Sequence, residues 1–341
     1  MRTLVISDLH LGARLQNGVL TRPEPLRRLL AALDGIDRLV LLGDSVELLE
    51  GRTAQAMEVA RPVLEAIGSR IGDRREVILV PGNHDRQLVG AWIRSQGTGL
   101  ATDAAVPLDA TPLLGHVTSW LSPASVRVHY PGVWLTDRVF ATHGHYLDRH
   151  LLPVSAFGIA RGLLGQVPRE GSKPVDYERA GGPSVTRLEA HLTRRLPRPL
   201  ARLVEDLAEL MRAATMPRVP KHLFDRRMAP LLASVLGFQM RRASIPALVR
   251  VLRNLGIDAD WVLFGHVHRL GPLDRDRPVR WHGTGGRPRI ANTGSWTFEP
   301  LLLHRAAPQH PYWPGGAVLL EDGHDPRAIA LLSDVEPAAM H

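Results

Sequence analysis

Four short apolar runs punctuate the first part of the chain. Thr3 to Ile6, Arg38 to Leu42, Glu76 to Val80 and Val139 to Thr142 are rich in aliphatic and β-branched residues, and each is closed by Gly, Pro or a polar residue. Runs of this length and texture read as strands buried on both faces. Between the first two, Glu24 to Leu33 places apolar residues at helical spacing, and Ala54 to Ile67 repeats the pattern. Strands alternating with helices predict an α/β fold with a parallel sheet. A similar strand, Trp261 to Phe264, comes much later. Arg289 to Asn292, Gly316 to Leu320 and Ala328 to Leu332 read as further strands joined by turns, and this tail is expected to complete a second sheet. Between Leu147 and Gly256 helical spacing takes over, as in Leu200 to Ala213 and Ala229 to Leu255, while Gly and Pro interrupt Gly162 to Pro183. The pattern predicts a helical subdomain over 147–256, inserted between core segments 1–146 and 257–341.

Composition narrows this picture. With 341 residues, 44% hydrophobic and 22% charged, the chain is long enough for a large core, and a disordered or fibrous reading is excluded. The net charge is +8, and it is unevenly placed. Residues 147–256 carry 19 Arg or Lys against 9 Asp or Glu, whereas the rest carries 23 against 25. Arginines outnumber lysines 40 to 2, a skew that weakens charge alone as a sign of nucleic-acid binding. The chain has no cysteine, so disulfides, iron–sulfur clusters and thiolate zinc sites are excluded, and any metal must be held by His, Asp, Glu or Asn. Only a few uncharged residues separate Arg2 from Asp8, too few for a secretory apolar region, and no stretch reads as a membrane span. A cytoplasmic protein is expected.

Five of the strands run directly into residues able to bind metal: Asp8 in ISDLHLG, Asp44 in LLGDSVE, Asn83 in PGNHD, His143 in THGH and His266 in FGHVH. In an open α/β sheet the carboxyl ends of the strands share one edge, where ligands bind. His10 and His268, two residues beyond Asp8 and His266, can turn back to the same place. Singly, each has an ordinary reading: an Asp after a strand caps a helix or turn, an Asn after Pro-Gly belongs to a turn, and a lone His packs or faces solvent. Their conjunction points instead to a metal site.

With these motifs on the page, the sequence resembles the calcineurin-like metallophosphoesterases, whose pattern is DxH, GDxxD, GNHD or GNHE, a lone His, and GHxH. The resemblance covers the core segments and implies a four-layer αββα sandwich with two divalent metal ions at its edge. By position, Asp8, His10, Asp44 and His268 would hold one ion, and Asp44, Asn83, His143 and His266 the other, with Asp44 bridging. Two ions bring four positive charges and the two aspartates return two negative ones, leaving a centre that binds phosphate and lowers the pKa of bridging water. Mixed oxygen and imidazole donors suit manganese, and also iron, zinc or cobalt. The implied activity is hydrolysis of a phosphomonoester, phosphodiester or pyrophosphate by in-line attack of metal-held hydroxide. His84 would face the phosphate and stabilise the transition state or protonate the leaving oxygen. Asp85 would orient a neighbouring His.

Two positions depart from the pattern. Glu47 stands where the family often has Asp. His145 stands where relatives that cleave nucleotide-linked lipids carry Asp; it reads as a support for a neighbouring ligand or as a substrate contact. The GDxVDRG and GNHE signatures of protein serine/threonine phosphatases are absent, and Asn292-Thr293-Gly294-Ser295 resembles a turn near the site in these enzymes. His116, His191 and His324 carry no motif. Substrate-binding residues are not legible. The basic insert is placed to act as a lid gripping an anionic phosphoester, with Arg226 and Arg227 or Arg241 and Arg242 as examples of close pairs. The alternatives are an Mre11-like nuclease acting on DNA or RNA, which shares DxHLG and GNHD, and a non-catalytic scaffold. The insert lacks an aromatic stacking series, which disfavours nucleic acid, and an intact ligand set disfavours the scaffold. Nothing in the sequence reports the oligomeric state.

Overall fold

The aliphatic runs form strands and the amphipathic stretches form helices in a computed structural model that describes residues 1–13, 18–49, 51–150, 167–180, 243–298, 303, 308 and 310–340. The strands are β1 (Arg2–Ile6), β2 (Arg38–Leu41), β3 (Glu76–Leu79), β4 (Ala104–Val106), β5 (Ser125–Tyr130), β6 (Gly132–Trp134), β7 (Val139–Thr142), β8 (Trp261–Phe264), β9 (Arg289–Asn292), β10 (Gly316–Glu321) and β11 (Arg327–Ala330). The helices are α1 (Pro23–Ala32), α2 (Thr53–Ile71), α3 (Gly90–Gln96), α4 (Pro112–Trp120), α5 (Pro174–Ala180) and α6 (Ile245–Asn254). A seven-stranded sheet runs β11-β10-β1-β2-β3-β5-β4, and a four-stranded sheet runs β6-β7-β8-β9. Both are mixed. β1, β2, β3 and β5 are parallel, as are β7, β8 and β9, while β4, β6, β10 and β11 pair antiparallel.

Alternate residues along each strand enter different cores. Leu4, Ile6, Leu39, Leu41, Val77 and Leu79 pack with Leu29, Leu64, Ile67 and Leu114 of α1, α2 and α4. Val5, Val40 and Ile78 meet Ala141, Leu263 and Ala291 between the sheets. Phe140, Val262, Phe264 and Ile290 are covered by Leu248, Val251 and Leu252 of α6. Helices, sheet, sheet and helix therefore stack in that order, consistent with the sandwich implied by the motifs.

The tail departs from expectation. Arg289–Asn292 joins the second sheet as β9, but β10 and β11 form a hairpin on β1 of the first sheet, with Leu4 opposite Leu319. β10 is buried while β11, at the sheet edge, is half-exposed, and neither pattern marks locally which sheet the hairpin joins. β5 lies outside the expected strands, although Val126, Val128 and Tyr130 alternate with polar residues. Of the helical subdomain expected over 147–256, the described residues show only α5 and α6. α5 begins at Pro174, where a missing N–H costs nothing, and Asp176 accepts from the Lys173 N–H at 2.8 Å. The expected helix over Leu200 to Ala213, the start of the one over Ala229 to Leu255, His191, and the pairs Arg226–Arg227 and Arg241–Arg242 lie outside the described residues. No described helix is long and apolar enough to cross a membrane.

Candidate metal centre

The parallel register of β1, β2 and β3 puts their carboxyl ends on one edge, and the loops beyond them are tied by backbone. Asp8 N–H donates to Gly43 O at 3.0 Å and His10 N–H to Asp44 O at 2.8 Å. β7 and β8 end at the facing edge of the second sheet, from which the His266 N–H donates to Asp8 Oδ2 at 3.0 Å. All seven residues proposed as ligands are thereby brought together. Ligand atoms of Asp8, His10 and His268 lie within 4.8 Å of one another, as do those of Asp44, His143 and His266, and those of His10, Asp44 and His84. Asn83 Oδ1 lies 3.1 Å from His143 Nε2.

Among the described residues, the non-glycine positions with positive φ are Asp8, His10, Asp44, His266 and His268, at 44° to 66°. That conformation is costly away from glycine and is retained where function demands it. All five belong to the proposed ligand set. Close packing also explains the motif glycines: a Cβ on Gly43, at φ 88°, would strike the His143 ring, and one on Gly82 would strike Asp44 and His143.

Hydrogen bonds orient the donors. The His143 Nδ1–H donates to Leu42 O at 2.9 Å, and its Nε2 faces Asp44 Oδ2 at 3.0 Å. His10 Nδ1 donates to Glu47 Oε2 at 2.9 Å. This directs His10 Nε2 into the site, where it is buried without a hydrogen-bond partner, 3.9 Å from both Asp8 Oδ1 and Asp44 Oδ2. An orphaned imidazole nitrogen between two carboxylates is a donor awaiting a cation, and carboxylate, amide and imidazole together suit first-row divalent ions. The residues present fit the implied metals.

The electrostatics agree. Burial disfavours the Asp8 carboxylate, but the facing His268 outweighs it and brings its pKa to about 2. Burial disfavours His143 imidazolium, yet Asp44 raises its pKa to about 9. The proton held on His143 thus offsets carboxylate charge where cations would otherwise do so.

Supporting residues sit around the donors. Glu47 is 1% exposed and reaches two rings, His10 Nδ1 and, at 2.6 Å, His84 Nδ1. Burial opposes its charge, but these rings hold its pKa near 2. Asp85, expected to orient a histidine ring, instead accepts the backbone N–H groups of Gly82 at 2.6 Å and Ser45 at 2.7 Å. Burial, with Asp44 nearby, raises its pKa to about 6. The ring-orienting work falls to Glu47, whose extra methylene over Asp gives it the reach. His145 lies 5.6 Å from His143, ring to ring, and burial beside His143 and His266 lowers its pKa well below the ordinary value. The turn after β9 does adjoin the site: Asn292 Nδ2 donates to Gly265 O at 2.7 Å, and Thr293 Oγ1 meets Ser7 Oγ. Asp148, 3.0 Å from His266 Nε2, escaped the sequence reading because no motif marks it. His116 and His324 are exposed.

Residues 1–174, which carry the loops of Asp8, His10, Asp44, Asn83 and His143, match the calcineurin-like phosphoesterase family. The chain belongs to the calcineurin-like phosphoesterases. It is thus a member of a metal-dependent hydrolase family, and its buried His and Asp groups fit a binuclear centre. No curated protein matches this phosphoesterase. A solved structure of a mutant cold-active protein tyrosine phosphatase is similar at 13% identity over 97% of this chain and 78% of that one, with a TM-score of 0.31.

Proposed function

We propose that the protein hydrolyses an anionic phosphomonoester, phosphodiester or pyrophosphate at two divalent ions, with manganese the first candidate. Asp8, His10, Asp44 and His268 would hold one ion, and Asp44, Asn83, His143 and His266 the other. When bound, the ions supply Lewis-acid polarisation of the phosphoryl oxygens and a water acidified toward neutrality. The protein's part is geometric and protonic. The crowded carboxylates and imidazoles fix the ions, while His84, its side chain 20% exposed, faces arriving substrate. Glu47 accepts from His84 Nδ1 at 2.6 Å and so directs Nε2 toward a phosphoryl or leaving oxygen. The observation that carries this reading is the gathering of every motif residue on one edge, with all five strained backbones among them. The excess of basic side chains over residues 147–256, 19 against 9 acidic, supports a further role for this segment as a lid that grips the anionic substrate.

The test is a panel of mono-, di- and pyrophosphate substrates, beginning with p-nitrophenyl phosphate and its bis ester. Manganese-loaded protein is expected to turn over at least one, chelation to stop it and added Mn²⁺ to restore it. Asp44→Ala and His84→Ala should each lower kcat by about 100-fold or more. Inactivity of the wild type with every divalent metal would overturn the proposal, and salt-sensitive cleavage of single-stranded DNA would favour the nuclease.

A further inference from the structure

A carboxylate from the segment between β7 and β8 sits where two ligand-bearing loops meet. The side chain of Glu178, on α5, is 7% exposed. Its Oε2 accepts from Arg86 Nε at 2.7 Å, and its Oε1 accepts the hydroxyl of Tyr146 at 2.8 Å and that of Tyr130. Tyr130 in turn lies 3.3 Å from His145 Nε2, oxygen to nitrogen. Arg86 comes three residues after Asn83, and Tyr146 three residues after His143. One carboxylate therefore grips each loop at the same remove from its ligand, and the two ligands stand 3.1 Å apart.

The grip is rigid. Next to Glu178, the Tyr177 ring stacks on Tyr146 at 4.8 Å with planes 10° apart, and the Tyr177 hydroxyl accepts from Asn254 Nδ2 of α6 at 3.1 Å. A carboxylate buried this far persists only where donors surround it, and two of its donors here, Arg86 and Tyr146, anchor the two loops, while the third, Tyr130, ends β5. The loops that carry Asp8, His10 and His268 make no hydrogen bond to it among the described residues.

We propose that Glu178 is a positioning residue for one half of the centre. It clamps the loops bearing Asn83 and His143 and so sets the affinity of the ion held by Asp44, Asn83, His143 and His266, leaving the ion held by Asp8, His10, Asp44 and His268 largely independent of it. This inference rests on the ligand assignment proposed above and deepens it, because it makes the inserted segment a brace of the metal centre as well as a cover.

Calorimetric titration of metal-free full-length protein with Mn²⁺ tests it without reference to turnover. Two binding events are expected in the wild type. Glu178→Gln should weaken one of them by about 10- to 100-fold, the range for losing a group that orients a metal ligand, and leave the other nearly unchanged. Tyr130→Phe, which removes only a hydroxyl, should weaken the same event by less. Two unaltered events in both variants would overturn the clamp alone, as would equal weakening of both events alongside a lowered Tm, the mark of general destabilisation. A wild-type stoichiometry other than two would overturn the ligand assignment itself, and the clamp with it.

Discussion

Asp8, His10, Asp44, His266 and His268 hold backbone conformations that their side chains resist, and what keeps them there is local and specific. Asp8 and His10 donate backbone N–H groups to Gly43 and Asp44, and His266 donates to the Asp8 carboxylate. The strain is thus spread over a network in which each ligand helps fix the next. Glu47 extends the network to His84. Glu47→Gln keeps the shape but replaces the carboxylate that accepts from and orients the His84 ring, so kcat should fall by about 10- to 100-fold with little change in KM. Steady-state kinetics on an aryl phosphate would check it, and an unchanged kcat would refute the role. The proposed ligands were legible because each sits in a short motif with a glycine, and three of those glycines, Gly43, Gly82 and Gly265, have no room for a Cβ beside His143, Asp44 or Asp8. Glu47 was visible only as a departure. Asp148 and Glu178 were invisible, since a carboxylate acting across the fold leaves no local spacing to read.

The strands most readily seen were those buried on both faces, because continuous aliphatic runs have few other uses. β7, β8 and β9 match their expected spans residue for residue. β4 and β6 are three residues each, too short to carry a period. β5 alternates instead of running apolar, and its polar face has a job: Glu76 on β3 accepts from Arg38 Nε on β2 at 2.8 Å and from Arg127 Nη2 on β5 at 2.9 Å, across three neighbouring strands. Burial opposes the Glu76 charge, but Arg127 and Arg38 outweigh it and hold its pKa below the ordinary 4.5. A carboxyl with a depressed folded pKa contributes stability above its unfolded pKa and loses it as pH falls through the folded one. Glu76→Gln should therefore cost about 0.5–1 kcal/mol at pH 7, solvent screening keeping the figure small. The difference from wild type should shrink below pH 4.5, as read by urea denaturation at pH 7 and pH 3. An equal difference at both pH values would show that the ion pairs contribute nothing.

In the whole molecule, charge and catalysis are arranged around one place in the topology. The chain leaves the second sheet at the carboxyl end of β7, on the metal edge, and returns at the amino end of its parallel neighbour β8, on the opposite edge, so the segment between them starts at the metal edge and crosses the sheet before it re-enters. α5 and α6, its described helices, pack onto the core through Tyr177, Leu248 and Val251. Residues 183–240, the part of the proposed lid between α5 and α6, carry 10 basic against 5 acidic side chains. Replacing them with a short linker, with α5 and α6 kept, should preserve hydrolysis of p-nitrophenyl phosphate. The same change should lower kcat/KM on the best larger substrate by about tenfold or more, the equivalent of one lost charge-assisted hydrogen bond. Parallel losses on both substrates would rule out a selective lid. By itself the sequence determined the family and the residues proposed as ligands: these, the strand ends and the glycines beside them lie within a few residues of one another, where local spacing and steric demand are readable. Only the tertiary structure decided that β10 and β11 close the first sheet, that Glu47 reaches two rings, and that Glu178 joins two ligand loops. Each of these depends on pairing between residues far apart in the chain, which burial and hydrogen-bond satisfaction select only once the whole sandwich has assembled.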